Sequence, residues 1–180
     1  GLMAALVIVF LADLILKGEK KHSVLSTLTG ILLVAQIAVC FTAQPATAFA
    51  GLYTATAAAQ VMKVILTAGA FIVVVMAQSW IEREDVLRKE GEFYELVIST
   101  LLGMYMMISS GHFLMFFLGL EMASVPMACL VAMDKYRHFS AEAGAKFIIT
   151  ATFSSGVMLF GISFIYGATG SLYFEDVVSH

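Results

Sequence analysis

Six apolar stretches divide this 180-residue sequence and leave it few ways to fold. The last five are long enough to cross about 30 Å of hydrocarbon as helices, which satisfy their own backbone hydrogen bonds. With 61% hydrophobic and 13% charged residues, the composition excludes an ordinary soluble domain. We therefore predict an all-α, polytopic transmembrane helix bundle with about six helices. The stretches are Leu2–Leu16, Val24–Ala43, Ala57–Ala77, Phe93–Ser110, Phe113–Met133 and Ala143–Tyr166.

Basic residues alternate between the connections and predict how the bundle is oriented. The connections after the first, third and fifth stretches carry Lys or Arg, whereas those after the second, fourth and sixth carry none. Because basic loops stay in the cytoplasm, we expect the N-terminus outside. The first stretch begins at Gly1 with no basic segment before it, so we expect a fragment of a longer chain rather than a signal peptide. The basic residues are Lys17, Lys20, Lys21, Arg83, Arg88, Lys89, Lys135 and Arg137.

Glu121 lies near the middle of the fifth stretch, where a carboxylate is costly. Insertion scales assign about 2.5–3.5 kcal/mol to Asp, Lys or Arg at the centre of a membrane helix, and Glu should behave similarly. Pro126 cannot donate a hydrogen bond to the carbonyl of Met122, so the backbone beside the acid is loosened. This setting predicts a functional site. The alternative is a buried Glu that only ties neighbouring helices together.

The sixth stretch supplies a basic partner for this acid. Ser140 is a candidate N-cap and Glu142 suits the positive end of the helix dipole. Lys146 follows about one and a half turns in, where an ammonium either snorkels to the interface or pairs with an acid. Glu121 lies some 10 Å deeper, so a lysine and a water could couple the two groups. Such coupling suits proton transfer.

Other polar groups in apolar surroundings have simpler interpretations. We expect Lys63 to snorkel at the outer end of the third stretch, and His112 to be a solvated turn residue. Cys40 and Cys129 have no metal-ligand spacing and are expected to be small buried hydrophobes, so no metal is predicted. Nucleotide-binding glycine motifs and basic nucleic-acid patches are absent from the sequence.

Four motifs resemble the antiporter-like membrane subunits of respiratory complex I. By that resemblance Glu121 matches the essential glutamate of the fifth helix, and Lys146 matches a lysine of the sixth helix with Glu142 one turn before it. Glu92 matches an acid near the entrance of the fourth helix. The motifs are Glu92–Ile98, Leu118–Pro126, Glu142–Phe147 and Tyr166–Ser171.

The resemblance also implies an organisation, a location and partners. Residues 1–90 would form the first three helices and a cytoplasmic loop, and residues 91–180 would begin the antiporter-like proton-channel repeat. Family chains have about fourteen helices, so this one should not hold a complete proton path. The expected location is the bacterial inner membrane, and the expected partners are other complex I membrane subunits, lipid and protons, with no nucleic acid. NADH and quinone are used by the whole complex, so no cofactor is expected in this chain.

Three functions remain open on these grounds. The first is a proton-translocating subunit of NADH:quinone oxidoreductase, which couples electron transfer from NADH to quinone with proton pumping. The second is a subunit of a multisubunit cation/proton antiporter or a membrane-bound hydrogenase, which shares the motif around Glu121. The third is a purely structural membrane subunit, in which Glu121 and Lys146 only hold helices together.

Overall fold

The computed structural model describes residues 2–16, 20–42, 46–48, 51–81, 90–134 and 137–179. Each predicted apolar stretch overlaps one helix, which confirms the all-α membrane bundle. Within the described residues a short seventh helix follows the last stretch. The helices are α1 (Leu2–Ile15), α2 (Lys20–Thr42), α3 (Ala57–Ile81), α4 (Glu90–Ile108), α5 (Phe113–Val131), α6 (His138–Thr169) and α7 (Phe174–Ser179).

Among the described residues, four helices are long and apolar enough to cross a membrane: α2, α3, α5 and α6. α1 is apolar but has only 14 residues, or about 21 Å. α4 has 19 residues, and Glu90 and Glu92 lie in its first turn. Those acids suit the positive end of a helix dipole.

A small cap closes one end of the bundle. Its first part is an antiparallel hairpin of β1 (Ala46–Ala48) and β2 (Tyr53–Ala55), which no sequence pattern predicts. Thr54 N donates to Ser109 O at 2.7 Å, which ties the hairpin to the loop between α4 and α5. Phe113 N donates to Leu172 O at 3.0 Å, which ties that loop to the segment after α6. We call the hairpin, residues 109–112 and residues 171–173 the cap.

α4 is the central helix of the core and packs against α1, α3 and α5. Its buried residues Tyr94 and Ile98 belong to one apolar cluster with Leu25 and Leu33 of α2 and Val74 of α3. The predicted parts 1–90 and 91–180 therefore meet across a shared core, and the boundary between them stays a prediction.

α4 and α5 touch backbone to backbone where two glycines meet. A Cβ atom added to Gly103 would lie 2.6 Å from the carbonyl carbon of Met122 and 2.8 Å from Gly119 O. A Cβ atom on Gly119 would lie 2.8 Å from Met107 N. Small residues let membrane helices approach this closely. The crossing therefore fixes α5 against α4 within one turn of Glu121.

The predicted orientation of the bundle stays a prediction. Of the basic residues on which it depends, only Arg137 is described with its side chain, and the side chains of the others lie outside the described part. Arg137 Nε pairs with Asp134 Oδ2 at 3.3 Å between α5 and α6.

Candidate functional site

Glu121 lies at mid-depth in α5 and is half-buried in this chain. It follows Phe113 by eight residues, or about 12 Å along the helix. With Ala128 it shares the helical face at i and i+7, which continues to Ala132 at i+11. Ala132 lies close to Gly144 of α6, since a Cβ atom on that glycine would be 2.6 Å from the Ala132 Cβ. Glu121 therefore lies on the side of α5 that carries Ala132 and its contact with α6, opposite the glycine crossing.

The Glu121 carboxylate makes no hydrogen bond or ion pair with any residue that the structure describes. Only its backbone is engaged, because Ser124 Oγ donates to Glu121 O at 3.4 Å. Pro126 lies inside α5 and has no N–H for the Met122 carbonyl. The acid thus lies on a helix turn with unused hydrogen-bond acceptors. Its carboxylate can accept a proton from a donor and release it to an acceptor.

Lys146 pairs with Glu142 on its own helix. The Lys146 Nζ to Glu142 Oε1 distance is 2.5 Å, and the side chains are 74% and 44% exposed, respectively. The described contacts do not include one between this pair and Glu121. The predicted coupling of Glu121 with Lys146 therefore requires an intervening group and stays a prediction.

The start of α6 differs from the expectation. The helix begins at His138 with Arg137 as its N-cap. Ser140 lies inside the first turn, and its Oγ donates to Val131 O at 2.7 Å. The N-cap prediction for Ser140 is wrong, because its hydroxyl bonds to the last turn of α5 instead of to an N–H of its own helix.

Glu92 is exposed at the start of α4, and its assignment to a channel entrance stays a prediction. The neighbouring acid Glu90 is 1% exposed. Asp13 of α1 lies directly against Gly91, so two acids and the N-terminus of α4 meet on the covered side of this turn. Their position suits the positive end of a helix dipole.

The prediction that Lys63 snorkels is also wrong. This lysine is only 5% exposed and lies under the cap, so it does not snorkel into open water. Its Nζ donates to Tyr53 Oη at 2.8 Å and lies 5.0 Å from the centre of that ring. The centre of the Tyr105 ring is 5.5 Å away on another side. No spacing rule links these three residues, because Tyr53 lies in the hairpin and Tyr105 lies in α4.

Two further expectations about single residues are wrong. His112 is only 9% exposed, and its Nδ1 accepts from Leu114 N at 3.1 Å, so it caps α5 instead of being solvated.

Cys129 is exposed on α5. Cys40 is buried as predicted, but its Sγ lies 3.4 Å from Tyr105 Oη within a polar cluster. Within the described residues, His, Cys, Asp and Glu form no cluster that could hold a metal ion.

The ionisation of Tyr53 depends on Lys63. Burial raises the pKa of Tyr53, but the hydrogen bond from Lys63, the Ser109 side chain and the Lys63 charge together lower it by more, so the pKa lies below the usual value of 10.0. A pKa lowered in the folded state stabilises the fold, fully at pH values above the usual 10.0, and this stabilisation is lost as the pH falls through the folded-state pKa.

We expect Lys63→Met to raise the pKa of Tyr53, because burial then acts without the opposing charge. Tyrosinate absorbance in the purified complete protein, with a Tyr53→Phe variant subtracted, measures this ionisation. A Tyr53 titration that stays in place would contradict the contact with Lys63.

Comparisons with known proteins place this arrangement in a family. Residues 110–180 match the family described as NADH:quinone oxidoreductase/Mrp antiporter, TM. NADH-quinone oxidoreductase subunit N of Phocaeicola vulgatus is 54% identical over 177 residues, which is 98% of this chain and 37% of the relative. The chain belongs to the antiporter-like family of membrane subunits. Subunit N of Neisseria gonorrhoeae is 34% identical over 181 residues, covering 99% of this chain and 37% of the relative.

Solved structures agree with the antiporter-like assignment. A chain of respiratory complex I from Thermus thermophilus with bound aureothin superimposes with a TM-score of 0.78 at 26% identity. That match covers 96% of this chain and 37% of the other. A chain of an archaeal membrane-bound sulfane sulfur reductase gives a TM-score of 0.70 at 19% identity, over 98% of this chain and 37% of that chain, which supports the fold alone. This antiporter-like chain thus spans just over a third of the length of these relatives.

Proposed function

We propose that this chain is part of a proton-translocating membrane subunit of an NADH:quinone oxidoreductase, in the bacterial inner membrane. The observation that carries the proposal is the half-buried Glu121 carboxylate at mid-depth of α5, in a chain homologous to subunit N. Placing an acid at this depth in a membrane costs free energy, which indicates that the residue has a function. Its carboxylate has no partner among the described residues. Glu121 is the group that binds and releases the proton.

The relatives favour this function over the other ion-coupled candidates. The relatives named above are subunits N of NADH-quinone oxidoreductases, which argues against a cation/proton antiporter or a hydrogenase. The partners are then the other membrane subunits of that complex, with NADH and quinone bound outside this chain. Electrons do not pass through this chain in the proposal; it moves protons only.

Each of the other site residues has a role in this proposal. Glu142 and Lys146 form an ion pair at the start of α6, on the helix that faces Glu121. A charge change at this pair alters the electrostatic potential at Glu121 and so biases its protonation. Glu92 lies exposed at the start of α4, where it can collect protons from water.

The deciding experiment measures protons pumped per NADH oxidised by the complete complex carrying Glu121→Gln. Loss of pumping in an assembled complex supports the proposal. Undiminished pumping would remove Glu121 from the mechanism. A purely structural subunit predicts a third result, in which the substitution prevents assembly.

We expect Lys146→Met to lower pumping several-fold in an assembled complex, because it removes a positive charge from the helix that faces Glu121. The Glu142–Lys146 pair is exposed and contributes only about 0.2–1 kcal/mol to stability, so assembly should survive. The double variant with Glu142→Gln and Lys146→Met should lose less pumping than the two single variants lose in sum, because each residue balances the charge of the other. Strictly additive losses would mean that the two residues act independently.

A further inference from the structure

A buried cation lies outside the site just described. Lys63 is covered by the cap, and its described polar and aromatic partners are Tyr53 of β2 and Tyr105 of α4. Within the described part of the chain, no carboxylate forms an ion pair with it. A buried ammonium needs compensation for its lost hydration, and aromatic faces and a phenol oxygen provide some. Because these partners are neutral, the lysine can lose its proton without leaving an unpaired negative charge.

A second layer of polar groups lies around the same point. Tyr105 Oη donates to the Lys63 backbone carbonyl at 3.3 Å and contacts the Thr67 hydroxyl. Cys40 Sγ lies 3.4 Å from Tyr105 Oη, and Gln36 Nε2 donates to Cys40 Sγ at 3.7 Å. The cluster joins α2, α3 and α4. Among the residues that the structure describes, the titratable groups next to Lys63 are therefore Tyr53, Tyr105 and, through Tyr105, Cys40.

We propose that Lys63 is a second proton-exchange site of this chain, which opens to water through Tyr53 and acts on α4 through Tyr105. The proposal rests on the proposed proton-translocating function and adds a site to it. None of the motifs that resemble the antiporter-like family includes Lys63.

The half-buried Tyr53 provides the route for the proton. In the release step, a proton leaves Lys63 Nζ for Tyr53 Oη while the proton of the phenol passes to water at the hairpin. The lysine and the phenol are both neutral afterwards, and the water carries the positive charge. Uptake reverses the same two transfers.

Tyr105 connects the charge on Lys63 to the helix that supports Glu121. Neutral Lys63 loses its cation–π attraction to the Tyr105 ring, so the contact differs between the two protonation states. Tyr105 lies two residues after Gly103, where the backbone of α4 touches α5. The charge on Lys63 thus acts on the α4–α5 crossing that holds Glu121 in place.

The test uses two conservative variants in the complete complex. Lys63→Arg keeps the charge and the aromatic contact but cannot lose its proton in a protein. Tyr53→Phe keeps the ring and removes the proton carrier. We expect both to lose proton pumping per NADH while the complex assembles. The response of pumping to the pH on the hairpin side of the membrane should flatten in both. Tyr173→Phe, also in the cap, is the matched control and should behave as wild type.

A structural role for Lys63 predicts a different pattern. The fixed charge of Lys63→Arg would then preserve function, and Tyr53→Phe would leave the pH response unchanged. Either result overturns the proposal. If the complex with Lys63→Arg does not assemble, the result for Tyr53→Phe decides alone. Glu121→Gln separates this inference from the proposed function: if it abolishes pumping while both Lys63→Arg and Tyr53→Phe pump normally, only the second site is wrong.

Discussion

A complete complex that carries Glu121→Gln is expected to assemble, oxidise NADH more slowly and pump at least about 10²-fold fewer protons, in line with the loss of a general acid–base group. Glutamine has nearly the shape of glutamate but cannot bind or release a proton at this position. The carboxylate has no side-chain partner among the described residues, so the substitution leaves no described donor or acceptor unpaired. The expected loss is therefore one of chemistry and not of folding.

The matched control for this variant is Glu175→Gln. Glu175 is exposed in α7, at the far end of the described chain, and the change removes the same charge. Assembly is followed by the yield of intact complex, and pumping is followed in inverted vesicles. A Glu121→Gln complex that fails to assemble while Glu175→Gln assembles would favour the structural alternative.

Replacing Gly103 with alanine is expected to destabilise the α4–α5 pair and reduce assembly of the complex. The added Cβ would lie 2.6 Å from the Met122 carbonyl carbon and 2.8 Å from Gly119 O, which is closer than real Cβ contacts. These neighbours are backbone atoms and cannot rotate away, so the helices must separate. Overpacking of this kind typically costs about 1–3 kcal/mol, and the backbone contact favours the upper end.

Gly161→Ala in α6 is the control for this substitution. Nothing lies within 4 Å of a Cβ atom at Gly161, so the methyl group enters open space. In a helix interior alanine is favoured over glycine by roughly 0.5–1 kcal/mol, so this variant should be neutral or slightly stabilised. Thermal stability and yield of the complex compare the two variants. Equal thermal stability and yield would mean that α4 and α5 do not approach this closely at the glycine crossing in the assembled complex.

The helices were predictable from the sequence because membrane helices depend on local properties. Twenty or so apolar residues satisfy their own backbone hydrogen bonds wherever they lie, so the stretch Phe113–Met133 alone predicts α5. The hairpin was not predictable. The strands Ala46–Ala48 and Tyr53–Ala55 have only three residues each, whereas alternation marks a half-buried strand over about 4–8 residues.

The candidate site was predictable only in part, for the same physical reason. Glu121 could be identified from the sequence because a charged residue inside an apolar stretch is costly, whatever its neighbours in the fold are. The burial of Lys63 depends on Tyr53 and Tyr105, which approach it only in the folded bundle. The burial of His112 likewise depends on Tyr173, whose ring meets it edge-on at 4.6 Å.

The length of α6 has a consequence for the ion pair at its start. Its 32 residues extend for about 48 Å, which exceeds the roughly 30 Å of the hydrocarbon layer. Such a helix either tilts or extends beyond the hydrocarbon at its ends, where the headgroups lie. Glu142 and Lys146 lie within the first nine residues, so they meet counter-ions and water. The charge balance of this pair should therefore respond to ionic strength and lipid composition more strongly than the half-buried Glu121 at mid-depth of α5 does.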